Sequence, residues 1–123
     1  MDQIRYWNRV ALDSDVPPHQ DPGGIARALA MTHLAMYEAY RGTAPAPYPS
    51  YLPEAPVPAR GAVPEAAMAV AAHTVLTALY PEQTARLDNA LQRAGLGGAG
   101  ITVGNAHGLV VGRAVLTAGT QAS

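Results

Sequence analysis

The sequence predicts an all-α fold: about five helices forming one helical-bundle module over residues 1–123, with a Pro-rich arm at 42–64. Three observations carry this. Alanine, the strongest helix former, supplies 25 of the 123 residues. Apolar residues recur at helical spacing in several separate segments. Seven of the 11 prolines fall between positions 42 and 64, so they punctuate the helices rather than interrupt them.

The first helix is expected from Asp2 to about Leu12, where Ile4, Trp7, Val10 and Ala11 share a face and Trp7 is the main anchor. Pro17 and Pro18 stop it, and a turn-rich stretch, His19 to Gly24, follows. The second helix, Ile25–Arg41, has neither Pro nor Gly. It carries two stripes: Arg27, Met31, Leu34 and Glu38, and Leu29, His33, Met36, Tyr37 and Tyr40. Being apolar nearly all round, it is expected at the centre of the fold. Gly42–Pro64, with Tyr48 and Tyr51 among its prolines, favours extended backbone. An arm of this length is read as functional, as a wrap over a neighbour, or as disordered.

Pro64 suits the first turn of a third helix, with Glu65 at the positive end of its dipole, running to about Tyr80. Pro81 marks a break. A fourth helix, Glu82–Ala94, presents Leu87, Ala90, Leu91 and Ala94 on one face and ends at Gly95-Leu96-Gly97-Gly98. The fifth segment, about Ala99–Ala118, carries Gly100, Gly104, Gly108 and Gly112 at a spacing of four. Each interior glycine costs a helix about 1 kcal/mol against Ala. Their regularity predicts a groove in which another helix approaches closely. The alternative is a strand pair, Ile101–Val103 and Leu109–Val111.

Composition removes several chemistries. There is no Cys, hence no disulfide, zinc–thiolate site or thiol nucleophile. There is no Lys, hence no Schiff-base or P-loop lysine. A net charge of −1 advertises no nucleic-acid or anionic-membrane partner. No run of about 18 apolar residues is free of polar interruption, so no membrane span is expected. No signal-peptide pattern follows Met1–Trp7, and a cytoplasmic location is expected.

Packing accounts for the single candidates. His33 and His73 lie in apolar helices without metal-ligand spacing, so they read as packed histidines. His107, among the glycines, reads as an interface residue. Asp13, Asp15, His19 and Asp21 make an oxygen-rich loop, but Pro17 and Pro18 occupy its middle and no calcium-loop spacing is present. The serines (Ser14, Ser50 and Ser123) form no nucleophile elbow. The sequence therefore offers no catalytic, cofactor-binding or metal residues. Its packing or interface candidates are Trp7, His33, Tyr37, Tyr40, His73, Gly104, His107 and Gly108.

Several runs, in order, carry a resemblance. They are Trp7-Asn8 with Ala11-Leu12, Pro17-Pro18, Ala26 through Tyr40 (including His33-Leu34-Ala35-Met36-Tyr37), Pro64-Glu65-Ala66-Ala67, Ala71 through Leu76, Ala78 through Pro81, and Leu87-Asp88. Over about residues 4–118 the chain resembles the N-terminal helical region of bacterial vanadium-dependent haloperoxidase-like proteins, in the superfamily shared with type 2 phosphatidic acid phosphatases. The resemblance implies a mostly α-helical bundle. For a complete member it implies vanadate as cofactor, held by Lys, Arg, Ser and Gly groups and a ligating histidine, or a phosphate-hydrolysing site in the phosphatases. Those ligands belong to a C-terminal half marked by Lys, Arg-Pro and Pro-Ser-Gly-His, and this sequence has none of them. His33 and His73 match scaffold positions.

The expectation is a truncated or split helical scaffold, not catalytically competent alone and needing no cofactor of its own. It would self-associate or pair with a C-terminal partner chain, and the pair would be a haloperoxidase or an acid phosphatase. A competing expectation is a small ligand-binding or oligomerising protein, with a cavity between the second, third and fifth helices lined by His33, Tyr37, Tyr40 and His73.

Overall fold

The computed structural model describes residues 2–14, 22–43, 49–53, 56, 59, 61–94 and 101–121. Among them the chain forms five helices and no strand: α1 (Gln3–Ser14), α2 (Pro22–Thr43), α3 (Pro64–Leu79), α4 (Thr84–Arg93) and α5 (Ile101–Gln121). A 3-10 turn, Pro81–Gln83, leads into α4. Asp15, Pro17, Pro18, His19 and Asp21 of the acidic loop, Pro45, Pro47, Tyr48 and Pro58 of the arm, and residues 95–100 lie outside the described residues.

Local chemistry sets the helix ends. The Asp2 carboxylate accepts hydrogen bonds from the backbone N–H of Ile4 (3.0 Å) and Arg5 (3.2 Å), which caps α1. α1 runs past Leu12 to Ser14, whose hydroxyl turns back to the Val10 carbonyl at 2.8 Å. α2 starts at Pro22 rather than Ile25, because a proline in the first turn lacks only an N–H that no helical carbonyl would use. α3 starts at Pro64 as expected, behind an extended Val63. Gly61, at φ +80°, makes the preceding turn in a conformation that other residues avoid.

The arm's described stretch wraps over this chain's own α2. The Tyr37 hydroxyl donates to the Pro49 carbonyl (2.8 Å), and Leu52 is buried in the core. The Ala59 N–H donates to the Gly42 carbonyl at the end of α2 (2.9 Å).

The expectation that the second helix is central needs correction. α3 packs against each of the other four helices, and it buries Ala66, Ala67, Ala69, Ala71, Ala72, Val75 and Leu76. α2 keeps an open face at Ala26, Ala30, His33 and Tyr40. Alanine explains the exchange: a helix with small side chains on several faces lets neighbours approach from several sides.

The fifth segment is helical, which removes the strand alternative. A Cβ on Gly104 would stand 2.9 Å from the Val63 carbonyl oxygen and 3.0 Å from Ala66 Cβ. On Gly108 it would overlap the Ala67 carbonyl oxygen and stand 2.9 Å from Val70 Cβ. On Gly112 it would stand 2.7 Å from Thr74 Cβ and 3.1 Å from the Ala71 carbonyl oxygen. The glycine groove therefore exists, and α3 of the same chain fills it. Residue numbers climb together along this seam, so α3 and α5 run parallel, with α4 as the return between them.

The core has two lobes on either side of the α2–α3 pair. One joins Trp7, Val10 and Ala11 of α1 to Ala28 and Met36, to Ala69, Ala72 and Leu76, and to Leu87 and Ala90 of α4. The other joins Met31, Ala35 and Ala39 of α2 to Ala67, Ala71 and Val75 and to Val111 and Val115 of α5, with Leu52 from the arm.

Candidate functional site

Three features of the polar and concave surface bear on function. The first is a cleft along α3. α4 and α5 both lie against α3 without packing extensively on each other, which leaves a strip of α3 that no described residue covers. Val70, His73, Thr74, Thr77 and Ala78 floor this cleft of about 710 Å³. Leu91 borders it from α4; Asn105, Ala106, Leu109, Arg113 and Leu116 border it from α5. Thr74 and Thr77 turn their hydroxyls back to the Val70 and His73 carbonyls (both 2.7 Å), so they present methyl groups to neighbours. At one border His73 Nε2 meets Asp88 Oδ1 at 2.7 Å. Asp88 is well exposed and His73 is one-fifth exposed. The pair ties α3 to α4 and fixes the imidazole's orientation.

The second is an apolar cavity of about 400 Å³ lined by Ile4 of α1, His33, Met36, Tyr37 and Tyr40 of α2, and Met68 of α3. Its polar tips are turned to protein partners. His33 Nε2 pairs with Asn8 Oδ1 at 3.1 Å, and Tyr37 is bonded to Pro49. The Tyr37 ring also meets the Tyr51 ring, with centroids 5.3 Å apart.

The third is a buried polar cluster at the end of α2. Glu38, only 1 % exposed, accepts hydrogen bonds from the Ser50 hydroxyl (2.7 Å) and the Tyr51 N–H (2.8 Å). The Arg41 guanidinium stands 3.8 Å from the same carboxylate. His107 of α5 presses its ring against Gly42, where a Cβ would overlap the imidazole. It is 6 % exposed, and Nε2 has no hydrogen-bond partner among the described residues. Burial, then the Arg41 charge, holds its pKa below the usual histidine value.

The structure separates residues that the sequence grouped. His33, Tyr37 and Tyr40 do share a cavity, but it lies between α1, α2 and α3. His73 lies in the other cleft, beside α4 and α5. Neither His33 nor His73 is sealed in the core: His33 is exposed and His73 half-buried. Trp7 is fully buried, with Nε1–H donating to Gln3 Oε1 at 2.9 Å. Gly104 and Gly108 serve the internal seam, and His107 an internal contact.

Sequence reasoning missed Asn8, Asp88 and Glu38. Glu38 had a visible signal, an acidic residue on a stripe with Met31 and Leu34. Asn8 and Asp88 had none, since their partners lie 25 and 15 residues away. No group of three or more His, Cys, Asp or Glu among the described residues could hold a metal ion. No described helix is long and apolar enough to cross a membrane. No protein-family model matches the chain, nor does any curated protein or solved structure.

Proposed function

We propose that this chain is the helical scaffold of a vanadium haloperoxidase-like protein, one that packs against a separate catalytic half and performs no chemistry alone. The uncovered strip of α3 between α4 and α5 carries the reading. It is a long, open, mainly apolar seat in a small module, of the kind that an added helix would bury. Val103, Leu109 and Val110 of α5 extend apolar surface outward beside it, at 46 %, 36 % and 54 % exposed. The glycine stripe does not bear on a partner chain, because α3 occupies it.

The commitments of two described arginines, Arg41 and Arg86, support a vanadate site outside this chain. An oxyanion of that charge needs several convergent cationic and N–H donors. Arg86, held between helices, commits Nε to Gln83 Oε1 and a terminal nitrogen to the Val10 carbonyl and the Ser14 hydroxyl. Arg41 stands beside Glu38. No step of halide oxidation or phosphate hydrolysis is assigned to this chain.

The test combines the chain with the polypeptide encoded immediately downstream, if that frame carries Lys, Arg-Pro and Pro-Ser-Gly-His. Bromination with vanadate, peroxide and bromide, and hydrolysis of a phosphate ester, are measured on each part and on the mixture. Activity gained on mixing, with co-elution, is the expected result. Bromination by the chain alone, or two competent parts that never associate, overturns the reading.

A further inference from the structure

We propose that His107 is an acid-operated release for the end of α2 and for the arm tied to it, through its contact with Gly42. The geometry is specific. The imidazole is buried in the fold, its Nε2 has no partner among the described residues, and its neighbour is the last glycine of α2. A neutral ring tolerates that seat. A protonated ring brings a second N–H donor and a charge to a place that offers Nε2 no acceptor.

Among the described residues the charged surroundings do not compensate. On α2, Arg41 bears on the ring with the same sign, and it already supplies the cation that a helix C-terminus favours. Glu38, one turn earlier, spends its two carboxylate oxygens on Ser50 and Tyr51. On α3, Glu65 is exposed and His73 is paired with Asp88. On α5 itself Arg113 is exposed, and on the arm Tyr51 is 71 % exposed.

The same helix end anchors the arm. Gly42 accepts from the Ala59 N–H, and Glu38 accepts from the Tyr51 N–H. Lifting the last turn of α2 frees the imidazole to water and strains or breaks both anchors. The direction follows from linkage. The native ring titrates below 6.5, the ordinary value of an opened ring. As pH falls below 6.5, the opened state therefore takes up a proton that the closed state refuses, and closure weakens until the native value is reached. Above pH 6.5 both states are neutral and closure is at full strength.

Amide hydrogen exchange resolved at Tyr51 and Ala59 tests this, with rates corrected for the intrinsic pH dependence. Between pH 7.5 and 5.5 the protection of both amides should fall up to about tenfold, the limit for one proton bound only to the open state. Amides in the middle of α3 should keep theirs. His107→Leu should remove the pH dependence. Unchanged protection in the unaltered chain overturns the proposal, and so does an equal fall in His107→Leu. Should that variant not fold, the NMR titration of the His107 ring in the unaltered chain decides. A native midpoint below 6.5 together with the fall in protection supports the release; a midpoint at or above 6.5 overturns it.

Discussion

The two lobes of the core hold together by different means. On the α1–α4 side, large side chains are fixed by directional bonds. Trp7 is fully buried, meets the Tyr6 ring edge-on at 5.4 Å, and is tethered to Gln3. The Tyr6 hydroxyl donates to the Ala90 carbonyl at 2.5 Å, and Arg86 reaches the Val10 carbonyl and the Ser14 hydroxyl near the end of α1. On the α3–α5 side, cohesion comes from close approach of backbone to backbone over Gly104, Gly108 and Gly112. The first lobe should fail when an atom is removed, the second when one is added.

The largest expected effect is in the first lobe. Trp7→Ala should cost about 4 kcal/mol in a urea titration, because it empties a sealed site and leaves the buried Gln3 amide unpaired. Gly108→Ala sharpens the contrast. In a free helix the change gains about 1 kcal/mol. Here the added methyl meets the Ala67 carbonyl, so a net loss of about 2 kcal/mol is expected. A net gain would break the account of the seam.

Arg86→Ala should cost about 1.5 kcal/mol by the same titration, through its bonds to α1. Gly119→Ala should be the mildest. Its added methyl would stand 2.9 Å from Met31 Cε, the free end of a flexible side chain that can turn aside. Its melting temperature should stay unchanged or rise slightly, which separates a glycine needed for contact from one that is not.

The all-α class and the five elements were legible because alanine content, helical spacing and proline placement agree. The close-approach role of the glycines was legible too, since four helix-breaking residues at one spacing demand a common cause. Which helix fills the groove was not. That depends on α4 turning the chain so that α5 returns parallel to α3, and no local pattern encodes this. The centre of the fold was misplaced for a related reason. The large Met, Leu and Tyr side chains of α2 suggested the centre, but the smaller side chains of α3 let every other helix pack against it. Of the cavity, the α2 wall was readable from one stripe; Ile4 and Met68 entered from other helices.

The seam has a further consequence. Its contacts repeat on both sides at the same interval: Gly104, Gly108 and Gly112 face Val63, Ala67 and Ala71, and also Ala66, Val70 and Thr74. Sliding α5 by four residues, about 6 Å along its axis, would set a glycine opposite most of the same notches. Such a ruler with equal divisions does not by itself specify where to stop. His107 is the unequal mark, because a slide by one division would offer Gly42 a valine, Val103 or Val111, in place of the imidazole. The imidazole against Gly42 is thus one contact that tells the observed alignment from its neighbours.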